Sequence, residues 1–135
     1  METKGKYEGD LIEGKKQGKG TYIWPNGNKY IGEWKDNIIN GKGEFIWTNG
    51  DRYNGNWKNG KKHGHGVFYY SDGDIYDGEW NNDKKEGKGK LTYKNGTIFE
   101  GTWKGDKREG EGIFKNAILK VEYNEGTLSK IKVLK

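Results

Sequence analysis

The stretch "YNGNWKNGKKHGHGVFYYSDGDI", residues 53–75, is rich in both glycine and aromatic residues. This much glycine disfavours a packed helix, and this many rings disfavour a flexible linker. The same arrangement occurs five times without gaps, with a period of 23 residues. Such a period is typical of stacked repeat architectures. The sequence therefore predicts five repeats over residues 7–121, with the boundaries 7–29, 30–52, 53–75, 76–98 and 99–121.

Each repeat contains two runs with the alternation of a β-strand. The first run reads aromatic-x-Gly-x-Trp, as in "YNGNW", except that the first copy has Leu11 in the tryptophan position. The second run begins with Gly-x-Gly and continues with a β-prone segment such as "VFYY"; in four copies an Asn-Gly or Asp-Gly turn ends it. Side chains two residues apart share a face of a strand. Each repeat is therefore predicted to be a β-hairpin.

The glycines of these runs need a physical explanation, because glycine weakens a strand unless something approaches its backbone closely. Seventeen of the 19 aromatic residues fall in fixed positions of the repeat. We expect an aromatic ring from a neighbouring strand to lie over each missing side chain, a pairing that stabilises sheets.

The pattern resembles the MORN repeat (membrane occupation and recognition nexus), which is built on a YxGxW…GxG…DG theme. The departures are local: Leu11 replaces tryptophan, and Asn37, Asp83 and Asp106 stand where the turn often has glycine. The resemblance implies a sheet that curls into a trough with the aromatic residues on its concave side.

The end of the chain departs from the repeat. Alternation at Leu119, Val121 and Tyr123, followed by a turn at 124–126, predicts one last hairpin. Repeat arrays need atypical ends that cover the open edge, so residues 122–135 are assigned as a C-terminal cap and residues 1–6 as a lead-in. The predicted fold is all-β, an elongated single-layer antiparallel sheet of five stacked hairpins and a capping hairpin, ~55 Å long for twelve strands.

Composition limits the possible classes of protein. Apolar residues make up 30% of the chain and charged residues 33%. That balance alone would suggest disorder, but the aromatic residues supply large buried areas. The absence of cysteine suits a reducing cytosol, and the first ten residues carry no apolar signal. No apolar run is long enough to span a membrane. We expect a cytoplasmic protein, and the resemblance implies association with cytoskeleton, cilium or membrane.

Motifs for catalysis are absent from the sequence. No Ser or Cys stands in a nucleophile motif, and His63 and His65 form an isolated pair that is better explained as turn residues than as metal ligands. The Gly-Lys segments do not have phosphate-loop spacing. The sequence therefore predicts no enzyme activity, no metal and no cofactor.

A partly exposed apolar strip usually marks a binding site, and rigid rings cost little entropy to present. We therefore predict a partner-binding trough, although each ring has the alternative of serving mainly as sheet core. The resemblance implies protein partners, a peptide or helix of a larger complex. The predicted trough residues are Tyr22, Trp24, Trp34, Phe45, Trp47, Trp57, Phe68, Tyr70, Trp80, Tyr93 and Trp103.

The hairpin tips are rich in lysine, and stacking spaces them ~10 Å apart along one edge. Such an edge would attract anionic lipid by about 1 kcal/mol per cation; the alternative is a solvated edge. Nucleic acid is disfavoured, because acidic residues flank the rings on the other face. The second tip carries Ile38 and Ile39, a candidate hydrophobic contact. The tip cations are Lys15, Lys16, Lys61, Lys62, Lys84, Lys85, Lys107 and Arg108.

Overall fold

The computed structural model describes residues 4–115 and 119–133, and the described chain contains strands and turns without helix. Twelve strands form one antiparallel sheet in which each strand pairs with its neighbours in the chain. The predicted fold class is confirmed. The strands are β1 (Lys6–Ile12), β2 (Lys15–Ile23), β3 (Lys29–Lys35), β4 (Ile38–Ile46), β5 (Arg52–Lys58), β6 (Lys61–Tyr69), β7 (Ile75–Asn81), β8 (Lys84–Thr92), β9 (Ile98–Lys104), β10 (Lys107–Phe114), β11 (Leu119–Asn124) and β12 (Thr127–Val133).

The turns at the two ends of the strands differ in type. At the tip of each hairpin two residues have positive φ, as Asn59 (50°) and Gly60 (81°) do. This conformation gives the twist that antiparallel strands need, and Asn, Asp and Gly tolerate it. At the other end of the strands, the three residues between Trp47 and Asp51 form a loop that contains the Asn-Gly pair. There the N–H of Gly50 donates to the carbonyl of Trp47 (3.1 Å).

The strand register places the glycines of neighbouring strands opposite one another. Gly55 lies opposite Gly66 within the hairpin, and Gly66 lies opposite Gly78 of the next repeat. A bulge then lets three residues of β6 face one residue of β5, so that Trp57 pairs with Lys62. Since residues directly opposite each other share a face, Lys62 lies on the aromatic face of the sheet.

The predicted placement of rings over glycines is confirmed for the second glycine of each Gly-x-Gly, whereas the first, such as Gly64, lies next to a polar side chain, Asn56. The ring of Tyr53 is 0% exposed and covers Gly66 so closely that an added Cβ would overlap it. The Tyr53 hydroxyl donates to the carbonyl of Asn56 (3.0 Å). The same overlap occurs at the other repeats, in the pairs Tyr7 and Gly20, Tyr30 and Gly43, Tyr76 and Gly89, and Phe99 and Gly112.

The last hairpin ends the array by a change of residue type. Val121 pairs with Ile131 at the register position that a glycine pair occupies in the repeats. Val121 is 2% exposed, so a branched side chain fills the space that a ring fills elsewhere. This hairpin already begins in β11 at Leu119. Residues 1–3, within the predicted lead-in, and residues 116–118 and 134–135 lie outside the described chain.

Candidate functional site

The aromatic face has an inner layer that belongs to the core. The aromatic residue that begins each of repeats two to five is at most 1% exposed; these residues are Tyr30, Tyr53, Tyr76 and Phe99. The tryptophan of the first strand in the same repeats is 5–7% exposed. The indole N–H of Trp57 donates to the carbonyl of Gly43 in the preceding repeat (3.1 Å), and so joins the two repeats. Four predicted trough residues are thereby placed in the core: Trp34, Trp57, Trp80 and Trp103.

The other trough residues form an outer layer on the same face. Six of them are half-buried, whereas Phe68 is buried, at 9% exposed, and is a fifth predicted trough residue that belongs to the core. Consecutive ring centroids lie 4.4–5.4 Å apart, which is contact distance for aromatic pairs. Leu91 interrupts the series before Tyr93. We call this layer the outer ring row; its rings are Tyr22, Trp24, Phe45, Trp47, Phe68, Tyr70 and Tyr93.

The eight tip cations divide into two sets, because four of them lie over the aromatic rings and four are exposed at the tips. The second tip residue of four repeats folds back over the rings. The Nζ of Lys62 lies 5.2–5.8 Å from the centroids of four rings, in the range of cation–π attraction. The strand register causes this, because the residue opposite tryptophan must share its face. We call these residues the caged cations; they are Lys16, Lys62, Lys85 and Arg108.

The first tip residues stay exposed, and they are Lys15, Lys61, Lys84 and Lys107. The second repeat has isoleucine in both positions. Ile38 is 46% exposed, whereas Ile39 takes the place of a caged cation and is 9% exposed. The predicted hydrophobic tip therefore consists of Ile38 alone.

Burial sets the electrostatics of this face. Burial lowers the pKa of the Lys85 ammonium, against the opposing attraction of Asp106. Burial and nearby carboxylates raise the pKa of Tyr70 to about 12. Arg108 donates to the hydroxyl of Tyr123 (3.1 Å) and also to that of Tyr93. Tyr70 thus remains neutral at pH 7, and the positive charge of the face comes from the caged cations.

Turn side chains hold neighbouring tips together, a role that the sequence analysis missed. The backbone N–H of Lys62 donates to the Asp83 carboxylate (2.8 Å), which also lies 3.4 Å from the Lys62 ammonium. Asn37 and Asp106 accept equivalent bonds from the preceding repeat. The sequence did contain a signal for this role, because Asn37, Asp83 and Asp106 are the positions where the repeat often has glycine. Each of them follows a tip lysine by 21 positions.

A groove lies on the opposite, polar face, whereas the resemblance had implied a trough on the aromatic side. Its volume is about 830 Å³, and glycines of β7 to β10 form its floor between charged side chains. Within it, His65 Nε2 contacts Asp77 Oδ1 at 2.6 Å. The rings fill the aromatic face, which is a layered surface.

Among residues 4–115 and 119–133, no group of three or more His, Cys, Asp or Glu side chains is arranged to hold a metal ion. No helix of the length and apolarity that a membrane span requires occurs among them either.

The fold and its periodic aromatic face define a stacked β-hairpin repeat protein. The MORN repeat family model matches residues 7–29, 30–52, 53–75, 76–98 and 99–117. The chain belongs to the MORN repeat family. A search of curated proteins found no match.

Proposed function

We propose that this protein is a non-catalytic scaffold that binds a segment of a protein partner on the outer ring row. In this proposal it acts in the cytoplasm as a subunit of a larger cytoskeletal, ciliary or membrane-linked assembly. The observation that carries the proposal is the unbroken series of rings from Trp24 to Tyr70, half-buried except at Phe68. No second layer of the described chain covers this face.

The inner layer supports this proposal because it makes the surface rigid. Trp57 and Trp80 are fixed by indole hydrogen bonds to the preceding repeats, so the outer rings rest on an ordered floor. A preorganised apolar surface binds with a smaller loss of conformational entropy. Aromatic rings are also the side chains that dominate the energetics of protein interfaces.

Affinity purification of the tagged full chain from its native cells tests the proposal. Trp47→Ala combined with Tyr70→Ala removes two outer rings and should abolish recovery of the partner. The control, Lys61→Glu with Lys84→Glu, changes two exposed tips and should leave recovery intact. Thermal melts of each variant check that the sheet survives. Undiminished recovery by the folded ring variant would count against the proposal.

A second candidate function is peripheral binding to anionic membranes, which the exposed tip lysines favour. Lys15, Lys61, Lys84 and Lys107 are exposed on one edge, and consecutive tips stand ~10 Å apart. Binding to phosphatidylserine vesicles should then weaken with salt, disappear in the Lys61→Glu, Lys84→Glu variant and survive loss of the outer rings. Vesicle binding that persisted in the tip variant would exclude this candidate.

A further inference from the structure

The caged cations and Ile39 form one column across the sheet. Residues 16, 39, 62, 85 and 108 occupy the same register position of successive repeats, opposite the tryptophan slot. Consecutive members are two strands apart, which is ~10 Å at ordinary strand spacing. Along the sheet, the column therefore consists of one cation, then one apolar residue, and then three further cations.

The charges of this column are incompletely paired. Lys62 has Asp83 at 3.4 Å and a side chain that is 13% exposed. Neither Lys16 nor Lys85 forms an ion pair with a carboxylate of residues 4–115 and 119–133, although Asp106 attracts the Lys85 ammonium, and both ammonium groups lie over rings. A carboxylate arriving from outside would meet a cation that is already partly desolvated and held in place, where charge pairs are stronger than in water.

The spacing of the column selects a secondary structure for the partner. Seven residues of an α-helix rise ~10.5 Å, close to the ~10 Å between column members. Three residues of a strand cover a similar length, but side chains three apart in a strand point to opposite faces. A helix lying across the strands presents every seventh residue to the column.

We propose that the aromatic face binds an acidic amphipathic helix whose carboxylates recur every seven residues, with one apolar residue in the heptad that meets Ile39. The helix places its acidic groups at Lys16, Lys62, Lys85 and Arg108 and its apolar stripe on the outer ring row. Four heptads, ~40 Å of helix, span the column. This inference rests on the proposed function and adds the chemistry and register of the partner.

Three synthetic helical peptides of about four heptads test the proposal against the full chain by fluorescence anisotropy. They share one apolar stripe and carry Glu, Gln or Lys at the four positions that face cations. The Glu peptide should bind about 10-fold more tightly than the Gln peptide, and the Lys peptide should bind most weakly. Lys62→Met removes one of the four cations and should reduce the preference for Glu, whereas Lys61→Met, one residue away and exposed, should preserve it in full.

The position of Ile39 gives a test of register that uses changes in both partners. Ile39→Lys should make a peptide with Glu in the second heptad bind better than one with Leu there, which reverses the order for the unaltered protein. A peptide with the same composition but with the apolar residue moved to the third of the five positions, which is central in either helix direction, should bind the unaltered protein less tightly. This comparison needs no variant of the protein.

The outcomes separate this inference from the proposed function. Equal binding of the Glu, Gln and Lys peptides, with dependence on Trp47, would overturn the acidic register and leave the ring surface in place. Failure of every peptide, while partner recovery still depends on Trp47 and Tyr70, would overturn the helical partner alone. Vesicle binding that is lost with Lys62→Met, without peptide binding, would assign the column to lipid and also overturn the inference.

Discussion

At the scale of single residues, a glycine and a ring form the unit of stability in this sheet. Gly66 has no side chain because the Tyr53 ring occupies that space, and Tyr53 has no room to move. A sheet without a second layer can bury apolar area only when its own rings lie flat against its own backbone. The glycine content of the chain is thus a packing requirement.

Gly66→Ala should lower the free energy of unfolding by about 1–3 kcal/mol, because the new methyl group overlaps a buried ring. Urea denaturation measures the change. Val67→Ala, at the next residue and on the opposite face, should cost less. Adding Tyr53→Leu to Gly66→Ala should give a total smaller than the sum of the two single changes. Strict additivity would show that the ring and the glycine do not share this space.

Trp80 and Trp103 allow a matched comparison of a tryptophan with an indole hydrogen bond and one without. Trp80 donates its indole N–H to the carbonyl of Gly66 (3.1 Å), whereas the buried indole nitrogen of Trp103 has no recorded partner among the described residues. Trp80→Phe should therefore destabilise the protein by about 1 kcal/mol more than Trp103→Phe, since only the first loses a hydrogen bond. Equal losses in parallel urea denaturations would contradict this role of the indole.

At the scale of the hairpin, the tip turns connect repeats as well as strands. Asp83 has a φ of 70°, which glycine adopts without strain. Asp83→Gly therefore removes the hydrogen bond to Lys62 while retaining the turn, and should cost about 1 kcal/mol. Asp83→Asn keeps an acceptor, as Asn37 does in the second repeat, and should change stability by less than about 0.5 kcal/mol. Thermal melts of the two variants should differ in that order; a reversed order would exclude the turn bond as a source of stability.

The hairpins were predictable from the sequence because their signals are local. The alternation around Gly55 and Gly66, and the turn residues at Asn59 and Gly60, each act within one repeat. The division between core and outer rings was not predictable in this way. Trp47 and Trp57 lie on the same face, and only the hydrogen bond and ring contacts between repeats bury one of them.

The caged cations could have been found from the sequence. Counting back from Phe68 in steps of two passes Gly66 and Gly64 and reaches Lys62, so alternation alone places this lysine among the rings. Because Lys62 lies next to a turn, its side chain was expected to be exposed to solvent instead. The groove on the polar face is lined by residues of β6 to β11, so no signal within one repeat predicts it.

At the scale of the whole molecule, the array is modular with a period of one repeat. Removal of residues 53–75 joins Arg52 to Tyr76 and restores the same neighbours. The shortened chain should fold, with a free energy of unfolding lower by roughly one fifth. Circular dichroism and urea denaturation measure both properties.

A half-repeat deletion is the control for that experiment. Removal of residues 53–60 puts Lys61 where Tyr53 stood, which moves Phe68 and every later ring to the opposite face. This variant should lose cooperative unfolding. A half-repeat deletion as stable as the full-repeat deletion would contradict the one-faced core.

The central claim, that a protein partner lies on the outer ring row, is tested most directly by site-specific photo-crosslinking in native cells. A photoreactive phenylalanine derivative is placed at Trp47 on the aromatic face, at Asn54 on the polar face or at Lys61 on the tip. The account predicts a protein adduct from position 47 and none from position 54. Adducts confined to position 54, or lipid adducts from position 61 without any from position 47, would contradict it.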